Sequence, residues 1–164
     1  TEIYTLSLHD ALPISSIPTF SELEQIEFPK PIGKCEAFVT SGGTSTCPWT
    51  LEGIVKEYDY KTVRYPGHYE KIKTLLELGF FDQEPIPTQG GPMVPRQLSH
   101  ALITRKIDFP KDKDLIVLRV TALGKKNGKE TKVAYDLIDF HDDRTGFSAM
   151  ERTTGFPADR KSVV

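Results

Sequence analysis

The chain has 164 residues, of which 38% are apolar and 27% charged, with a formal net charge of −2. That is the size and balance of one ordinary globular domain, and it excludes a collagen, a disordered tail and a disulfide-stapled mini-protein. Two cysteines, Cys35 and Cys47, are too few for a metal cluster or a disulfide framework, and free thiols suit an intracellular chain. No apolar run approaches the roughly 18–20 residues that span a bilayer. With no basic stripe and a near-neutral charge, neither a membrane nor nucleic acid is the expected partner.

The two ends are read as foreign to the rest. Residues His9-Asp10-Ala11-Leu12-Pro13-Ile14 can be encoded cac-gac-gct-ctt-ccg-atc, whose reverse complement, gat-cgg-aag-agc-gtc-gtg, encodes Asp159 to Val164. Residues 1–14 resemble a translated sequencing-library adapter, and 159–164 the same adapter on the opposite strand. The expected biological region is therefore 15–158, an internal slice of a longer gene.

Residues 17–31 read as a Pro-punctuated connection with one helical turn over Ser21–Gln25. Lys34–Thr40 alternates as a strand, stopped by the loop Ser41 to Thr46. Gly42 and Gly43 would let a ligand approach the backbone closely, or they form a plain surface loop. Tyr58–Tyr65 predicts a second strand, ended by Pro66-Gly67. Tyr69, Ile72, Leu75 and Leu76 then fall at helical spacing, with Gly79 placed as the cap. Pro95 suits a first helical turn, and Leu98, Ala101 and Leu102 supply a second apolar face. The runs Asp114–Leu123 and Thr131–Phe140 predict a hairpin, and Ser148–Gly155 starts a last helix. The order is β-β-α-α-β-β-α, without regular βαβ alternation. The expected class is α+β: a mixed, largely antiparallel sheet with helices packed on one face.

No G-x-G-x-x-G or phosphate-loop pattern is present. His68, His100 and His141 lack metal-ligand spacing, so no metal site is expected. Cys35 reads as a small buried hydrophobe, and Cys47 as a loop thiol without an activating neighbour. The densest polar constellation is Lys61 to His68 (KTVRYPGH). Thr62 and Arg64 share one face of the strand at the lip where the chain turns into a helix. Arg64 could clamp a carboxylate there, helped by the positive helix start, or lie on the surface paired with a neighbour such as Glu70. His141 to Gly146 (HDDRTG) reads as a solvated loop.

In this order, EAFVTSGGTST (Glu36–Thr46), KTVRYPGH, the hairpin from Leu115 to Asp139 and GFSAMERTTGFPA (Gly146–Ala158) resemble the C-terminal domain of the saccharopine dehydrogenase family. The wording is closest to its lysine 6-dehydrogenase branch. The resemblance implies the substrate-binding and dimerisation domain of a cytoplasmic, homo-oligomeric enzyme. That enzyme would be NAD(P)-dependent and act on a C–N bond of lysine or a lysine derivative. NAD or NADP would be held mainly by an N-terminal Rossmann domain outside this chain, and the chain alone would be inactive. By the same resemblance, Gly43, Thr62, Val63 and Arg64 belong to the substrate-binding site, with Arg64 on the amino-acid carboxylate and His68 a polar contact or proton acceptor. Saccharopine reductases carry an arginine in the loop where Gly43 stands here, and its loss favours a smaller substrate such as lysine itself. The alternatives are a saccharopine-forming or -cleaving reductase, and a non-catalytic binding or dimerisation module.

Overall fold

In the computed structural model the backbone is described for residues 4–9, 12–40 and 44–161, and side chains for 16–40 and 44–158. The chain divides into two compact units, Thr1–Ile107 and Asp108–Val164.

The first unit opens with β1 (Tyr4–His9) and β2 (Leu12–Pro18), an antiparallel pair. A three-stranded antiparallel sheet follows, in the order β3 (Glu24–Phe28), β4 (Gly33–Phe38), β5 (Thr62–Arg64). Residues 17–31 are therefore not a helical connection. Gln25 and Glu27 alternate with Ile26 and Phe28, and that period-2 pattern pairs with β4 rather than forming the helical turn expected at Ser21–Gln25. The turn between β3 and β4 contains a cis Lys30–Pro31 bond.

Strand β4 is central, and Cys35, Glu36, Ala37 and Phe38 are all buried on it. They form the core with Phe28, Ile32 and Val39, as expected of a strand covered on both faces. Phe20 and Ser21 extend the pairing through Phe20 N–H to Val39 O and Val39 N–H to Ser21 O. The short helix α1 (Cys47–Thr50) precedes β5. The strand expected over 58–65 contracts to three residues because β5 pairs with β4 only that far.

Helix α2 (His68–Glu77) ends as its Gly79 predicts. Gly79 N–H bonds to Leu76 O and Phe80 N–H to Leu75 O, which closes the last turn onto two otherwise open carbonyls. Helix α3 (Pro95–Ile107) begins at Pro95 as expected. Its expected apolar face is not buried within this chain: Leu98 and Leu102 are exposed, and the buried residue is Ser99, which donates to Phe80 O at 2.7 Å.

The second unit is the hairpin β6 (Leu115–Lys126) and β7 (Lys129–Phe140), in register along its whole length from Leu115↔Phe140 to Lys126↔Lys129. Asn127 and Gly128 close it with φ of 53° and 77°, the left-handed pair that a two-residue turn with the twist of the strands requires. A widened π turn over Glu151–Gly155 leads into α4 (Phe156–Lys161). The class is α+β with antiparallel pairing throughout, but the strands are shared among three separate sheets rather than one mixed sheet. Among the described residues, no helix is long and apolar enough to cross a membrane.

Candidate functional site

The register of β4 and β5 decides which side chains meet. Glu36 lies opposite Arg64, Ala37 opposite Val63 and Phe38 opposite Thr62. Directly opposed residues share a face, so Glu36, Phe38, Thr62 and Arg64 stand together while Val63 points the other way with Ala37. Of the residues singled out in the sequence, Thr62, Arg64 and His68 come together and Val63 does not. Gly43 lies outside the described residues.

Thr62 and Thr40 hydroxyls are hydrogen-bonded to each other, tying β5 to the end of the stretch that leads into the Gly42-Gly43 loop. Arg64 is exposed, and its Nη1 donates to the carbonyl of its own neighbour Val63 at 2.8 Å. Neither Glu70 nor any other carboxylate among the described residues forms an ion pair with it. Lys61 points away and sits among Glu22, Glu24 and Asp59 at 3.5–3.7 Å.

The turn from β5 into α2 is set by Gly67, whose φ of 89° is a left-handed conformation that strains any other residue. Gly67 N–H donates to Glu36 Oε2 at 3.1 Å, and Tyr69 N–H donates to Glu36 Oε1. The positive start of α2 is thus filled by a carboxylate of the protein itself, and it is not available to an incoming anion as the sequence suggested. Glu36 is only 4% exposed, and a buried carboxylate needs such partners to stay there. Sequence reasoning missed it. The one local signal is an acidic residue inside the otherwise apolar stretch Cys35–Val39.

Around Glu36 the aromatic rings lock the helix start to the sheet. Tyr69 meets Phe38 edge-on at 5.1 Å and donates its hydroxyl to Phe20 O at 2.7 Å; Phe20 lies 5.2 Å from Phe38. The imidazole of His68 also stacks with Phe38, at 6.1 Å with the planes 22° apart. Partial desolvation lowers the pKa of the largely exposed His68 below its usual value, as do the charges of Arg64 and Lys71, while Glu36 pulls the other way. His68 is therefore mostly neutral at pH 7 and able to accept a proton. The arrangement offers a guanidinium, a hydroxyl pair and a neutral imidazole on one side of the sheet.

The remaining candidates stay structural. Cys35 is buried, and burial pushes its thiol up. Cys47 has a neighbour after all, the phenol of Tyr58. That phenol is pushed up to about 12, first by its hydrogen bond with Cys47 and then by burial. In the second unit, the carboxylates of the His141–Gly146 loop are held partly within the loop and partly by Lys113 and Arg152 outside it. Asp142 accepts Arg144 N–H and Thr145 Oγ1, and Asp143 pairs with Lys113 at 2.7 Å.

A dinucleotide is held at a Gly-rich turn from a strand into a helix within a parallel βαβ unit. The strand pairs described here are antiparallel, and the helix start at the site already holds Glu36. The described residues do not fit a dinucleotide.

The family model of the saccharopine dehydrogenase C-terminal domain matches residues 9–159.

Proposed function

Because the chain belongs to the saccharopine dehydrogenase family, a family of dehydrogenases, through its C-terminal domain, we propose that it is the substrate-binding part of an NAD(P)-dependent oxidoreductase acting on a C–N bond of lysine or a lysine derivative. The nucleotide, NAD or NADP, is held on polypeptide outside this chain and carries the redox step. The residues of this chain bind and orient the amino acid. Arg64 takes the carboxylate, Thr62 supplies a hydroxyl beside it, and His68 accepts a proton or hydrogen-bonds a polar group of the substrate. The enzyme works in the cytoplasm as a homo-oligomer, on a small-molecule substrate and without nucleic acid or membrane partners.

The observation that carries this is the contrast between two positive features at one lip. The start of α2 is neutralised by Glu36, whereas the exposed Arg64 guanidinium bonds only a carbonyl of its own strand. Among the described residues no carboxylate pairs with Arg64, so its guanidinium can meet that of a substrate.

The test is steady-state kinetics on the enzyme that carries this domain together with its nucleotide-binding part. Arg64→Ala raises KM for L-lysine on the order of tenfold to a hundredfold, the range for a lost charged hydrogen bond, and leaves KM for NAD(P) nearly unchanged. Equal rises for both overturn the assignment. Running the same assay with L-lysine and with saccharopine separates the two substrates.

A further inference from the structure

We propose that Glu36 is the positioning residue of the Arg64–His68 face. Its carboxylate belongs to the central strand β4 yet holds the first turn of α2 through Gly67 N–H and Tyr69 N–H, residues 31 and 33 positions further along the chain. The chain between these anchors leaves β5 through Arg64, turns at Gly67 and starts the helix at His68. The β4–β5 register sets the face of Arg64, and this one carboxylate fixes the turn that brings His68 beside it.

Three features separate this role from ordinary burial. Both carboxylate oxygens are engaged, one by each amide, so the pair resists rotation of the turn as a single contact would not. The acceptor is a carboxylate, and hydrogen bonds to a carboxylate are about twice as strong as those between neutral groups. The ring that packs beside it, Phe38, is the same ring on which His68 stacks, so a shift of the turn moves the imidazole off its platform. Glu36 touches no substrate in this scheme. Its consequence for binding rests on the assignment of Arg64 as the carboxylate ligand, but its consequence for geometry does not.

The experiment uses the whole chain, labelled for NMR, as wild type, Glu36→Gln, Glu36→Asp and Arg64→Ala. A purely electrostatic Glu36 predicts that Glu36→Gln keeps the nuclear Overhauser contacts between the His68 and Phe38 rings and lowers the His68 pKa further, because a negative neighbour is gone. A positioning Glu36 predicts that those contacts disappear and that the His68 pKa climbs toward its ordinary value as its partial desolvation is relieved. Retained ring contacts with a lowered pKa overturn the proposal. Should Glu36→Gln fail to fold, Glu36→Asp is read instead. It keeps the charge but shortens the reach, so positioning predicts weakened ring contacts and pure electrostatics predicts none lost.

Titration with L-lysine then gives the functional arm. Glu36→Gln weakens binding on the order of tenfold, and adding it to Arg64→Ala causes no further loss, because both remove one interaction. Full additivity counts against positioning, as does a Glu36→Gln chain that binds L-lysine normally while Arg64→Ala does not. If Arg64→Ala leaves the interaction with L-lysine unchanged, the substrate assignment falls, and the His68–Phe38 contacts still decide the role of Glu36.

Discussion

Both units of the chain fasten a helix start to a strand with a carboxylate, and they do so in different surroundings. In the first, Glu36 lies on a buried strand and holds the helix start at which Tyr69 packs on Phe38, with Phe20 beside it. In the second, Asp114 sits half-exposed just before β6. It receives Ala149 N–H at 2.8 Å and Met150 N–H at 2.9 Å. Beside it, Ser148 and Glu151 complete a reciprocal cap, with Ser148 N–H donating to Glu151 Oε2 and Glu151 N–H to Ser148 Oγ. The chemistry is the same, but the packing is not. The first unit has seven buried apolar residues from Ile17 to Val39, whereas the second buries Ala149 and leaves Leu118, Val120, Val133, Tyr135 and Leu137 exposed on its hairpin. A carboxylate anchor inside a packed core can fix side-chain directions. The same anchor beside a thinly covered hairpin secures a helix end and remains open to acid and salt.

The largest expected effect tests the packing half of this contrast. Phe38 is 1% exposed and touches three of the rings around the helix start. Phe38→Ala should cost about 3–5 kcal/mol, read from urea unfolding followed by the fluorescence of the sole tryptophan, Trp49, in the first unit. A truncation of similar chemistry on the hairpin, Leu118→Ala, removes a side chain that is 47% exposed and should cost less than about 1 kcal/mol. Similar costs at the two positions would erase the distinction between a packed and an open unit.

A smaller effect should appear in acid, and in the second unit. Burial works against ionisation of Asp114, yet the N–H groups of Met150 and Ala149 outweigh it and hold its pKa below the usual carboxylate range. Ser148 does the same for Glu151 through its N–H and its hydroxyl. A carboxyl whose folded pKa is depressed binds protons less readily folded than unfolded. The stability it adds is therefore whole above the ordinary values of about 4 and drains away as pH falls through the lower folded values. Relative to the intrinsic exchange rate at each pH, amide exchange of Ala149 and Met150 should accelerate between about pH 4 and pH 2. In Asp114→Asn that acceleration should shrink and protection at neutral pH should already be reduced. An unchanged pH profile would mean that the helix start does not depend on Asp114.

How far the sequence reaches is clearest where the cause is local. Asn127-Gly128 announces its turn, Gly79 its helix end and Pro95 its helix start, because each conformation depends on a few consecutive residues. Strand β3 is harder to read: its alternation is short and lies among prolines, and only pairing with β4 makes it a strand. The four residues of α1 are too few to show a helical period. At the site, Thr62 and Arg64 are legible as same-face neighbours from their spacing, and His68 from its place after the turn. Glu36 was not legible, because its partners arrive from more than thirty residues away and nothing near it in the chain reports them. Leu98 and Leu102 show the converse: their helical spacing is plain in the sequence, yet it does not make them buried.

The smallest effect sharpens the contrast between sheltered and exposed charge. Across the hairpin, Arg119 grips Asp136 with Nε to Oδ1 at 2.6 Å and Nη2 to Oδ2 at 2.7 Å, a two-point pair with both partners part-exposed. Such geometry is favourable, but water and ions reach it, so its coupling should be small and fall as salt rises. Between 0.1 M and 1 M salt the screening length drops from about 10 Å to about 3 Å. A double-mutant cycle with Arg119→Ala and Asp136→Ala should lose most of its coupling over that range. The effect of Glu36→Gln on Trp49-monitored unfolding should move less, because the Glu36 side chain is buried and its partners are backbone N–H groups rather than mobile charged side chains. If salt weakened both alike, Glu36 would be solvated in solution, and the fixed turn it gives between Arg64 and His68 would go with it.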